Sequence, residues 1–150
     1  VGYPRGAQRA IPESIKPTFA DFDVFGDENA EKAIITYGRT FSACAFAYEK
    51  LVNSGESVKL IKLNRIIPVC EGAVEAAKNC KDVYFFEEGI RRGGAGEGFL
   101  FDLSKAGFSG KYHLRAIENG FVKQASVESL LHKYGFDEEG VLSFVTSAEA

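Results

Sequence analysis

Two acidic residues, Glu87 and Glu88, close an apolar run, and a glycine-rich turn with two arginines follows, YFFEEGIRRGGAGEGF over 84–99. Paired carboxylates are the residues that general acid–base catalysis uses. Neighbours on a strand point to opposite faces, so capping or ion pairing is the preferred reading of this pair. A strand, a glycine-rich turn and a helix in that order present backbone N–H groups and a helix dipole to an anion, and Arg91 and Arg92 stand beside the turn. Against an anion site, Glu97 falls in the first helical turn and fills the favourable dipole position itself. The dinucleotide pattern G-x-G-x-x-G fails at Phe99, and no G-x-x-x-x-G-K-S/T phosphate loop exists. The turn from Gly93 to Gly98 is therefore expected to serve tight geometry and close backbone packing. A nucleophile elbow of the form G-x-S-x-G is missing, which removes a serine hydrolase from consideration. Arg5, in YPRG at 3–6, has the planar fork that binds phosphate through two oxygens, although taken alone it reads as a surface arginine in a turn.

Metal chemistry has little to draw on. Cys44, Cys70 and Cys80 lack the paired spacing of zinc ligands and are read as reduced thiols. His113 and His132 are far apart and are read as structural or surface residues. No catalytic, cofactor-binding or metal residue is expected in the chain.

The elements that position these residues follow from periodicity. DFDVFGDE (21–28) reads as a short strand ending in a Gly-Asp turn. KAIITY (32–37) is a β-branched strand, followed by a helix capped by Thr40 or Ser42. That helix places Phe41, Cys44, Ala45, Tyr48, Leu51 and Val52 on one face and stops at Gly55. SVKLIKL (57–63) alternates as a half-buried strand does. A helix over 71–80, a strand over 82–89, a helix over 96–107 and a strand over 111–117 come next. Two closing helices, 126–135 and 137–145, open on hydroxyl or acidic residues. Alternating strands and helices imply βαβ units. The expected fold is a three-layer αβα sandwich around a mainly parallel five-stranded sheet.

The 150 residues suit one domain, read as 22–150, preceded by a proline-bearing connector over 1–21. The chain has no Met, so Val1 is expected to be an internal point and the connector the tail of an upstream domain. A net charge of -3 argues against nucleic acid, and no apolar run reaches the roughly 20 residues of a bilayer span. A cytoplasmic, reduced environment fits the cysteines.

Four stretches in sequence, YPRG, AIITYGRTFSACAFAYEKL, VYFFEEGIRRGGAGEGF and YGFDEEGVLSFV, resemble the C-terminal domain of the transketolase family, closest to its 1-deoxy-D-xylulose-5-phosphate synthase members. The resemblance covers nearly the whole chain. It implies a non-catalytic domain that supports the dimer and the substrate entrance of a three-domain transferase. It places thiamine diphosphate and Mg²⁺ between the two upstream domains of the same polypeptide. It implies a homodimer, no nucleic acid and no membrane, and a role for Arg5 in binding the acceptor's phosphate. The reaction implied joins pyruvate to glyceraldehyde 3-phosphate, releases CO₂ and feeds isoprenoid precursors, thiamine and pyridoxal phosphate. A sugar transketolase, a 2-oxoacid dehydrogenase β subunit and a free-standing assembly module are the alternatives. The sequence departs from the family pattern at Asn64, at Val69-Cys70, and at Gln124-Ala125, where the synthases carry His-Gly.

Overall fold

β2 (Lys32–Thr36) is the middle strand of a five-stranded sheet in a computed structural model that describes residues 10–118 and 120–147. The other strands are β1 (Phe22–Phe25), β3 (Val58–Leu63), β4 (Asp82–Ile90) and β5 (Lys111–Ile117), in the spatial order β1-β3-β2-β4-β5. β3, β2, β4 and β5 run parallel, and only β1 is antiparallel, at one edge. The expected mainly parallel sheet is what forms.

Helices cover both faces. α1 (Phe41–Asn53), α4 (Val127–Tyr134) and α5 (Glu138–Ser147) pack on one side, over Ile34, Leu60, Tyr84 and Phe86. α2 (Glu71–Ala77) and α3 (Ala95–Lys105) pack on the other, over Ile35, Ile61, Val83 and Phe85. The period of two in each strand thus feeds two cores at once. A fully buried ring such as Phe85 contributes about 2 to 3 kcal/mol by leaving water. Residues 10–21 form no regular element, yet Ile15 is buried and Ser42 Oγ donates to the Ala10 carbonyl at 2.6 Å.

Three local expectations are corrected. β3 is not half-buried: sandwiched between β1 and β2 and covered on both faces, it buries even Lys59. Its ammonium donates to the Glu28 carbonyl at 2.6 Å and to the Ala76 carbonyl at 2.7 Å, which satisfies the charge at the end of α2. Neither Thr40 nor Ser42 caps α1 with its side chain. The chain enters α1 through a 3₁₀ turn at Gly38–Thr40, and the two hydroxyls are spent on Glu88 and Ala10. On α1 the buried face holds Phe41, Cys44, Ala45 and Leu51 as expected, but Ala43 and Ala47 replace Val52, which is exposed.

Candidate functional site

The parallel strands end at one edge, where ligands of open α/β sheets gather if neighbouring strands send their helices to opposite faces. β2 and β4 are such a pair. β2 leads into α1 on one face and β4 into α3 on the other. The residues at this crevice are Tyr37, Arg39 and Thr40 after β2, and Glu87 and Glu88 near the end of β4.

The two carboxylates take different sides. Glu87 is 1% exposed and turns toward α3, as Phe85 does. Its Oε2 accepts from the Ala95 N–H at 2.9 Å and from the Tyr37 hydroxyl at 3.1 Å. Ala95 is the first residue of α3, so Glu87 supplies a cap from another element where Gly94 has no side chain to offer. Burial and then the Glu87 charge push the Tyr37 phenol up to about 12. Glu88 turns the other way and receives two hydrogen bonds from Arg39 and one from Thr40 Oγ1 at 3.0 Å. The hydrogen bond to Glu88 is the main reason the Arg39 guanidinium is held above its ordinary range. β4 shifts register against β5 between Phe86 and Ile90, an irregularity that aims side chains at a strand end.

The glycine-rich turn is built around the Glu87 carboxylate. A Cβ on Gly94 would collide with Glu87 Oε1 and lie 2.5 Å from the Ile90 carbonyl. A Cβ on Gly96 would strike Leu114 and come within 3.2 Å of Phe85. Glu97 reaches back and accepts from the Gly93 N–H at 2.7 Å. Glu87 and Glu97 thus occupy the positive end of α3. Close packing, the preferred reading of Gly93–Gly98, describes Gly94 and Gly96; Gly98 faces open space.

The positions that depart from the family pattern have structural partners. Asn64 Nδ2 donates to Asp23 Oδ2 at 2.9 Å and to the Ala20 carbonyl at 2.8 Å. Burial pushes the Asp23 carboxyl up, but hydrogen bonds from Thr18 and Asn64 outweigh it and leave it lowered. Asn64 therefore ties the segment before β1 to the end of β3. Cys70 is buried, and its Sγ lies 3.4 Å from the Arg65 carbonyl. Gln124 and Ala125 are exposed. Cys44 and Cys80 are also buried, and burial raises the thiol pKa of both.

His113 lies 2.8 Å from Asp82 and stacks on Tyr84, a structural setting. His132 is exposed and bonds Asp137 at 2.7 Å, with Glu139 close by. Arg5 lies outside the described residues. The sequence reading missed Tyr37 and Arg39 as partners of the two acids. They lie about fifty positions away, and the only signal was their place in the loop after β2.

Compared with known proteins, residues 26–141 match the family described as the transketolase C-terminal domain. The chain is similar to 1-deoxy-D-xylulose-5-phosphate synthases from several bacteria. It is 29% identical to that of Bacteroides fragilis over 76% of the chain, and 30% identical to one from Bacillus cereus over 77%. The similarity to the Corynebacterium jeikeium enzyme is 24% but extends over 94% of the chain. The chain spans 18%, 19% and 23% of those relatives' own lengths. Among solved structures, a split-gene transketolase described as an inactive beta4 tetramer superposes with a TM-score of 0.75. It shares 20% identity over 92% of this chain and 46% of its own, which shows the fold alone. No helix among the described residues is long and apolar enough to cross a membrane.

Proposed function

The chain belongs to the transketolase C-terminal domain family, and we propose that it is the non-catalytic third domain of a thiamine-diphosphate-dependent 1-deoxy-D-xylulose-5-phosphate synthase. The observation that carries this reading is similarity to enzymes of that name over 76% to 94% of the chain. The reaction is the joining of pyruvate to glyceraldehyde 3-phosphate with loss of CO₂, in a cytoplasmic homodimer that serves isoprenoid and thiamine synthesis.

The site chemistry is consistent with a supporting role. A metal-bound diphosphate needs free carboxylates or a free helix N-terminus. At the crevice, Glu88 and Glu87 Oε2 are engaged by Arg39, Thr40, Tyr37 and Ala95, Glu87 Oε1 has no hydrogen-bond partner but is buried against Gly94 and Gly96, and the start of α3 is already answered by carboxylates. The described residues therefore do not fit the cofactor, and this reading assigns thiamine diphosphate and Mg²⁺ to the upstream domains of the parent. Arg5 is assigned the phosphate of the acceptor, by its place in YPRG.

The test takes the full-length parent with thiamine diphosphate and Mg²⁺ and measures CO₂ release from pyruvate, with and without glyceraldehyde 3-phosphate. The expected result is aldehyde-dependent release, with Arg5→Ala raising the KM for the aldehyde roughly tenfold or more. An unchanged variant would remove Arg5 from the reading, and absence of release would remove the synthase. The likeness to a split-gene transketolase favours a second reading, a transketolase-type parent, which predicts ketose-to-aldose transfer in the same assay.

A further inference from the structure

We propose that the cavity at the carboxyl end of β5 binds a small organic phosphate, with Arg115 as its principal donor. Arg39, Arg65 and Arg91 each hold a carboxylate: Glu88, Asp21 and Glu118. Arg115 is partly buried and makes no salt bridge to a carboxylate among the described residues, with the Asp137 charge acting on it only from beyond contact. Its Nη1 reaches the Tyr134 and Gly135 carbonyls only at 3.4 Å and 3.5 Å, the long limit of a hydrogen bond. The guanidinium lies 4.3 Å from the centroid of the Phe144 ring, which fixes its plane and leaves Nε and Nη2 without a partner among the described residues. A half-buried cation in that condition is costly unless an anion completes it.

The surroundings specify the anion. Arg115 faces a cavity of about 510 Å³ whose charged walls are Arg91, Lys133 and Glu118. Arg91 is bound to Glu118 at 2.6 Å, so the walls carry three cations and one carboxylate, a positive surplus that Asp137, outside the walls and bonded to His132, offsets only in part. That surplus matches a phosphomonoester near neutral pH, and the arginine fork takes two of its oxygens. Phe121, fully exposed on the cavity's rim, offers the organic part a surface to lie on. Arg115 also caps the C-terminus of α4, and a purely structural role there predicts no response to phosphate. The proposal does not rest on the synthase reading, because the chain alone binds the probe.

The experiment titrates the ¹⁵N-labelled 150-residue chain with phenyl phosphate and with inorganic phosphate at constant ionic strength, reading amide shifts. The expected result is saturable change confined to the end of β5, Phe121–Val122 and the end of α4, with phenyl phosphate the tighter of the two. Arg115→Gln should weaken binding roughly tenfold to a hundredfold, and Arg115→Lys by less. Lys16→Gln, remote in sequence and absent from the cavity walls, should leave it unchanged. If Arg115→Gln loses its dispersed spectrum, Lys133→Gln carries the test, since that side chain is exposed, with a few-fold loss expected. Shifts scattered over the surface lysines, no saturation, or equal binding by the folded variants would overturn the site. Equal affinity for the two probes would overturn the organic part of the ligand.

Discussion

Arg39 and Arg115 stand near the same edge of one sheet, after β2 and in β5, and end in opposite conditions. Arg39 is paired twice over with Glu88, while Arg115 rests on an aromatic ring with two long contacts to carbonyls. The difference lies in their neighbours. At the crevice between β2 and β4, Glu88 and the Oε2 of Glu87 each meet groups of opposite kind from the adjoining strand end or helix start, and Glu87 Oε1 alone is left buried without a hydrogen bond. At β5, an edge strand, one side has no further strand to provide such a partner. The place where the fold most favours a ligand has been closed by the chain's own carboxylates, and the open chemistry has moved one strand outward.

The closed region can be broken most severely at its backbone. Gly94→Ala drives a methyl group against Glu87 and the Ile90 carbonyl, and should cost about 2 to 4 kcal/mol in urea unfolding. Gly98→Ala, inside the helix that Gly94 precedes but facing open space, should stabilise by about 0.5 to 1 kcal/mol. If the two variants behave alike, the turn is not shaped around Glu87.

Glu87→Ala comes next, at about 1 to 3 kcal/mol, because it leaves the Tyr37 hydroxyl and the Ala95 N–H without their partner. The same variant should lower the Tyr37 titration from about 12, read by ultraviolet difference absorbance. The sign follows from linkage. The folded phenol titrates above its ordinary 10.0, so its contribution is full below about pH 10 and lost as pH rises toward 12. In Glu87→Ala that loss should begin and end closer to pH 10. Arg39→Ala should cost less than about 1 kcal/mol and shrink further in high salt, since the pair is solvent-exposed. A larger loss would mean that the crevice is held by Arg39 and not by Glu87.

The smallest effect belongs to the corner beside Arg115. The hydrogen bond that His132 donates to Asp137, and then the Asp137 charge, raise the His132 pKa above 6.5. Asp137→Asn should bring the NMR titration midpoint of His132 down with almost no change in stability. Any stabilisation by this pair is full below pH 6.5 while Asp137 stays ionised, is lost as pH rises through the raised folded value of His132, and is lost again in acid as pH falls through the lowered value of Asp137. An unmoved midpoint would show that the two do not meet in solution.

Strands, helices and layer order were legible because their signals are local: β-branched runs, amphipathic helices and glycine stops. The capping role of Glu87 was half legible. Adjacency on a strand separated the two acids, but nothing local named Tyr37 or Ala95 as partners. Lys59 was misread because alternation in SVKLIKL carries no information about a second layer, and a lysine stem buries well if its ammonium finds carbonyls. Arg115 was not singled out at all. What marks it is a half-buried guanidinium with no direct ion pair, and a missing partner leaves no mark in a sequence.

Phe144 joins the core under α1, α4 and α5 to the β5 cavity, meeting Tyr84, Phe86 and His113 edge-on and Arg115 through its face. The chain contains no tryptophan. An indole placed at this one position would therefore be the sole emitter at long excitation wavelengths. Its colour would report the polarity of the β5 cavity and its quenching the approach of the guanidinium, so that filling of the cavity and loosening of α5 would register as separate optical signals from a single atom cluster.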